Sequence, residues 1–128
     1  MLKLMYAESG FHLERVGIPL EVGVAQRVAL AVRLGQTLHL EPGHASFLVP
    51  GHTEGLMQLE LSLSLEESQR LTVVAVDGEF VEVTVQGTWL AATAQAHEGV
   101  FFATLGDRVE FLLQKVWQAS QTYSYQWK

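Results

Sequence analysis

LTVVAVDGEFVEVTV, residues 71–85, is the stretch that decides the fold. Apolar and polar residues alternate on both sides of Asp77-Gly78, and alternation with a period of two is the signature of a half-buried strand. A two-residue Asp-Gly loop favours a type I′ turn, whose twist matches that of the strands it joins. The expected register pairs Val76 with Glu79, Val74 with Val81 and Thr72 with Val83. That register gathers Val74, Val76, Val81, Val83 and Val85 on one face, the expected core face. A hairpin at the centre of the chain implies an antiparallel sheet.

Further strand patterns lie on both sides. Met57 to Leu65 alternates most regularly, with Met57, Leu59, Leu61, Leu63 and Leu65 on one face and Gln58, Glu60, Ser62 and Ser64 on the other. One dry and one wet face is typical of an antiparallel strand. Downstream, Gly87 allows a turn, and Trp89 to Ala94 and Val100 to Leu105 read as strands separated by Glu98-Gly99. Phe101 and Phe102 are consecutive, so in a strand they face opposite sides. Upstream, Thr37 to Glu41 and Ala45 to Val49 read as two short strands around Pro42-Gly43. Leu2 to Ala7 and Phe11 to Val16 flank the turn signal Ser9-Gly10.

Two segments carry helical signals. In 19–34, Leu20, Val24, Val28, Ala31 and Val32 follow a helical stripe, Pro19 suits the first turn and Gly35 the C-terminal cap. The alternation of Val28, Leu30, Val32 and Leu34 leaves a strand open, but length and alanine content favour the helix. In 107–121, Asp107 and Glu110 form a capping-box pattern. Val109, Leu112, Leu113, Val116 and Ser120 make the inward stripe. Phe111 and Trp117 lie off it, which points to a second apolar face, either a partner surface or a second layer of the same core. The tail alternates Tyr123, Tyr125 and Trp127 with polar residues, as an extended segment with an aromatic face would. The fold class is α+β: a largely antiparallel β-sheet in one domain, 1–128, covered by a C-terminal helix, with 19–34 as a candidate second helix. The alternative is an antiparallel β-barrel with a C-terminal helix.

The 128 residues suit one domain with a real core, and an apolar content of 48% opposes disorder. The net charge is -6, from 14 acids and 8 bases, and the lysines Lys3, Lys115 and Lys128 are scattered. Phosphate contacts need clustered cations, so nucleic acid is not the expected partner. With no cysteine, disulfides, thiolate catalysis and Cys-type zinc sites are excluded. The N-terminal stretch lacks the apolar core of a signal peptide, and Glu21, Gln26, Arg27 and Arg33 interrupt the most apolar run. The expectation is a cytoplasmic protein without membrane contact.

Motifs for chemistry are sparse. His39, His44 and His52, with Glu41 and Glu54 beside them, are ligand types for zinc, iron or manganese, and a turn at Pro42-Gly43 would gather them at one end of the sheet. Their spacing fits no HExxH or comparable signature, so no metal and no cofactor is expected. There is no G-x-S-x-G elbow and no glycine-rich phosphate cradle. Glu66-Glu67 reads as a solvated pair.

GQTLHLEPGHASFLVP (Gly35 to Pro50) and VFFATLGDRVEFLLQKVWQ (Val100 to Gln118) resemble stretches in uncharacterised small conserved proteins of cyanobacteria. The resemblance covers roughly a quarter of the chain and contains no catalytic motif. It implies a soluble cytoplasmic protein of a photosynthetic bacterium and assigns no residue a role.

The leading functional reading is a non-enzymatic interaction or accessory protein that forms a homodimer. Phe111, Trp117, Tyr123, Tyr125 and Trp127 are the interface candidates, because Tyr and Trp are enriched at interface hot spots. One alternative is a small-molecule binder that holds an apolar ligand between sheet and helix. Another is a metal-dependent enzyme using His39, His44 and His52.

Overall fold

The hairpin at 71–85 forms, with one residue more in its loop than Asp-Gly requires. Strands β4 (Leu71–Ala75) and β5 (Phe80–Ala91) pair with Leu71 opposite Val85, Val73 opposite Val83 and Ala75 opposite Val81. The carboxylate of Asp77 accepts the N–H groups of Glu79 at 2.7 Å and Phe80 at 2.9 Å. Asp77 thus closes a wider turn with its own side chain, as Asp commonly does. The added residue slips the register by one, and a slip of one turns every β4 side chain to the other face. Leu71 is buried, whereas Val74 and Val76 are exposed. Of the expected valine face, Val83 and Val85 are in the core.

The computed structural model describes residues 1–8 and 10–126, and of 122–126 the backbone alone. The fold is α+β. Its six strands hydrogen-bond in the order β2-β1-β6-β5-β3, with β4 also on β5. The pairs β1–β2, β1–β6, β4–β5 and β5–β6 are all antiparallel. The path is open, with β2 and β3 at its ends, so the barrel alternative is not realised among the described residues. The chain divides into two compact units, and β3 and β5 contribute a part to each.

The first unit comprises Met1–His44 and Gln86–Thr104. Strands β1 (Leu2–Ala7) and β2 (Gly10–Arg15) pair with Leu4 opposite Leu13. Ser9, half of the expected turn signal, lies outside the described residues. Strand β6 (Gly99–Ala103) lies beside β1, with Phe101 opposite Leu4, and pairs Val100 with Leu90 of β5. Phe101 and Phe102 face opposite ways and both are buried. The 19–34 segment is helix α1 (Leu20–Arg33), with Pro19 at its N-cap. It ends where Gln36 N–H bonds to Ala31 O and Gly35 takes a positive φ. Met1, Leu90 and Phe102 form a buried cluster joined by Val16, Ile18, Leu20 and Val24.

Gly87 makes no turn. It lies inside β5, where an added Cβ would strike Phe102 O and the Phe101 ring. The glycine permits a close approach of backbones rather than a reversal. Pro42-Gly43 makes no turn either: β3 runs unbroken through His39–Pro50. Gly51, just past β3, donates to Glu79 O. β3 lies at an end of the sheet, where one of its edges is not taken up by a strand of the path. A proline costs no ladder bond there.

The second unit comprises Ala45–Val85 and Leu105–Lys128. Its largest departure from expectation is 57–65, which forms helix α2 (Leu56–Leu61) followed by turns. Leu, Met, Gln and Glu are good helix formers, and the segment has no β-branched or aromatic residue to favour a strand. Leu56 and Leu59, three apart, are buried, and α2 packs on the C-terminal helix. That helix, α3, runs Asp107–Gln126. Val109, Leu113, Val116 and Ser120 are buried as expected. The extended tail is not: the backbone stays helical to Gln126.

Candidate functional site

Gly51 to Leu56 leads from β3 into α2. Gly55, at the N-cap of α2, has φ 91°, a conformation open to glycine and strained for other residues. This turn directs Leu56 and Leu59 inward and leaves Met57 and Leu61, four apart, on the outer face. Met57 is 70% exposed, Leu61 80% and Leu65, in the turn that follows, 90%. Beside Met57 lies an open groove of about 590 Å³, walled by Val73 and Ala75 of β4 and Val81 of β5. His52, Thr53, Glu54, Gln58 and Glu60 supply its polar groups, and among the described residues no Lys or Arg lines it.

Side chains bonded to backbone fix the segment after α2. Ser64 Oγ accepts the Glu67 N–H at 3.1 Å, and Glu67 Oε1 accepts the Ser64 N–H at 3.4 Å. This is a reciprocal capping box at the 3-10 turn Glu67–Gln69. The other Glu67 oxygen accepts the Gly106 N–H at 2.8 Å, at the start of α3. Glu110, almost fully buried, accepts the Leu105 N–H at 3.1 Å. The expected Asp107–Glu110 box is therefore displaced. Asp107 is already helical, and the N–H groups before it are held by Glu110 and Glu67. Glu66 makes an exposed pair with Arg70 at 3.1 Å and stays solvated, as expected, whereas Glu67 holds backbone N–H groups. The signal was legible, since Ser64-Leu-Glu-Glu67 is itself a capping-box pattern.

The histidines do not gather. His39 and His44 are five apart on one strand, hence on opposite faces and roughly 16 Å apart. His39 Nε2 lies 3.3 Å from Glu41 Oε2. His52 alone lines the groove described above. Among the described residues no three His, Asp or Glu side chains are placed to share an ion.

The interface candidates part company. Trp117 is buried, so it belongs to a second layer of the core rather than to a partner surface. Phe111 is 49% exposed, with Lys115 Nζ 5.2 Å from its ring centroid. The side chains of Tyr123 and Tyr125 lie outside the described residues, as does Trp127. Met57, Leu61 and Leu65 were missed, because the strand reading placed them in the core.

A second groove belongs to the first unit. It measures about 250 Å³ and lies between α1 and the sheet, lined by Lys3, Glu14, Arg27, Leu30 and Phe102 among others. The contrast in charge extends to the units. The second unit carries nine acids against four bases, net -5, and the first five against four, net -1.

The Alr0857-like family model matches residues 1–121. The chain belongs to the Alr0857-like family. The label is a cyanobacterial locus name, in keeping with the resemblance read from 35–50 and 100–118. The match spans both units and the whole of α2 with its groove. No curated protein and no solved structure matches this Alr0857-like chain. Among the described residues no helix is long and apolar enough to cross a membrane.

Proposed function

We propose that this Alr0857-like chain is a non-enzymatic interaction protein that assembles as a homodimer. The observation that carries the interaction reading, as distinct from the dimer, is the apolar surface left in water on α2 and its following turn, where Met57, Leu61 and Leu65 are 70%, 80% and 90% exposed. Exposed apolar residues scattered singly need no explanation, but three at a spacing of four residues, the first of them lining a groove, mark an interaction site. The groove between α2 and strands β4 and β5 is open to solvent rather than enclosed, which favours a protein surface over an apolar small molecule.

Self-association is assigned to a different surface, the outer face of α3. Phe111 is half exposed there, and Tyr123, Tyr125 and Trp127 follow on the same terminal segment. A two-fold axis uses one patch twice and so covers both copies at once. The reading takes the protein to be cytoplasmic in a photosynthetic bacterium, and the locus name of its family supports the bacterial source alone.

Sedimentation equilibrium tests the assembly. The full chain is expected to be a dimer at micromolar concentration, and Phe111→Asp and a chain ending at Gln121 are expected to be monomers. A full chain that stays monomeric at high micromolar concentration overturns the homodimer. A dimer untouched by either change moves the interface away from α3.

A further inference from the structure

The α2 surface has a sign as well as a shape. From Pro50 to Gln69 the chain carries Glu54, Glu60, Glu66 and Glu67 and no Lys or Arg. Glu67 is committed to the backbone of Ser64 and Gly106, and Glu66 is neutralised by Arg70. Glu54 and Glu60, three residues before and after Met57 in sequence, remain among the residues that line the groove. An apolar row bounded by carboxylates repels a second copy of itself, because a two-fold contact sets Glu54 and Glu60 near their own images. It also repels an acidic partner. It complements a segment that brings apolar side chains on one face and cations at the margins.

We propose that α2 and its groove dock a basic amphipathic helix of a partner protein. Apolar side chains of that helix enter beside Met57 and Leu61, against Val73 and Val81, and its Lys or Arg residues meet Glu54 and Glu60. Helices laid in apolar grooves use this division of labour: apolar anchors supply affinity, and the charged margin sets orientation and partner choice. The proposal rests on the reading of α2 as an interaction surface and adds the class of partner.

The test uses the full chain and two labelled synthetic peptides of about fourteen residues, long enough to be helical when bound. One is an amphipathic Leu/Lys helix, and the other is its twin with Glu in place of every Lys. Binding is read by fluorescence anisotropy at low and physiological salt. The Lys peptide is expected to bind at least about tenfold more tightly than the Glu twin. The double variant Met57→Asp/Leu61→Asp makes the chain more acidic, so diffuse attraction to a negative surface would strengthen. Docking in the groove instead predicts a loss of about tenfold or more, because truncated anchors dominate interface energies. Glu54→Lys/Glu60→Lys is expected to lose a similar factor and to gain affinity for the Glu twin. Circular dichroism confirms that each variant is folded.

Equal or tighter binding of the Lys peptide to Met57→Asp/Leu61→Asp overturns the proposal, as does no binding at all. If both peptides bind alike and both lose affinity in that variant, the interaction surface stands and the basic partner falls. If the chain's own mass grows beyond a dimer and Met57→Asp/Leu61→Asp stops that growth, the occupant is a second copy and the proposal is wrong.

Discussion

Residues 71–85 and residues 57–65 share the same alternation, and only the first is a strand. The hairpin alternates Val and Thr, which suit a pleated surface, and Asp77 ties its turn. The 57–65 segment alternates Leu with Ser and Glu, yet Leu56 and Leu59 face inward from a helix and Met57 and Leu61 outward. Periodicity alone cannot separate a short strand from a short helix, and residue type decides. The difference has a functional side. A strand would have buried one face of 57–65, and the helix leaves its apolar residues in water.

The comparison extends to what holds each region. In the first unit two glycines let backbones and rings close in, Gly87 against Phe102 and Gly99 against Trp89. In the second unit carboxylates hold backbone N–H groups, at Glu67, Asp77 and Glu110. The largest expected effect is on the first kind. Gly87→Ala places a Cβ into Phe102 O and the Phe101 ring, within a strand pair that cannot open without losing its ladder. The expected loss is about 3 kcal/mol or more, the upper range for overpacking. Urea unfolding at unchanged slope measures it, and a loss below about 1 kcal/mol would show that the pair relaxes readily.

Removing Glu67 comes next. Glu67→Ala strips the acceptor from Ser64 N–H and Gly106 N–H, and a loss of about 2 kcal/mol is expected. Gln at the same position keeps an acceptor oxygen and is expected to recover about half. A Glu67→Ala chain as stable as wild type would remove the capping box from the account.

Asp77 gives a smaller effect with a pH signature. The N–H groups of Glu79 and Phe80 hold its carboxyl below the ordinary value of 3.8. A carboxyl depressed on folding stabilises the folded state above its unfolded value, and that stability is lost as pH falls through the folded one. Wild type is therefore expected to exceed Asp77→Asn in stability at neutral pH. The gap should close as acid is added below about pH 4. A gap constant across that range would mean the turn does not depend on the charge.

Much of this was legible in the sequence. Pro19 and Gly35 bounded α1, and the hairpin, β1 and the inward residues of α3 followed from pattern. What escaped turned on single side chains with more than one use. Asp77 can close a loop of two residues or, by accepting two N–H groups, a longer one, and that one residue reversed the faces of β4. Pro42-Gly43 and Gly87 read as turns because such residues usually punctuate, yet proline is tolerated at a free edge and glycine at a close approach. The docking surface escaped for the reason that 57–65 did: a strand reading hides Met57 and Leu61. The acidity of 50–69 was present in the composition but had no meaning until the helix exposed an apolar row beside it.

The smallest expected effect on stability is at that row. Met57→Asp and Leu61→Asp, at positions 70% and 80% exposed, are each expected to change stability by less than about 0.5 kcal/mol. A larger loss, by thermal or urea unfolding, would mean that these side chains serve the fold.

The two grooves differ in sign, and amide chemical-shift mapping on isotope-labelled full-length chain compares them directly. Titration with the Leu/Lys helix is expected to shift resonances in 51–60 and at Val73, Ala75 and Val81, and to leave those of Lys3, Glu14 and Arg27 in place. Shifts centred on Lys3 and Arg27, or spread evenly over both units, would contradict the reading of α2 as the docking surface.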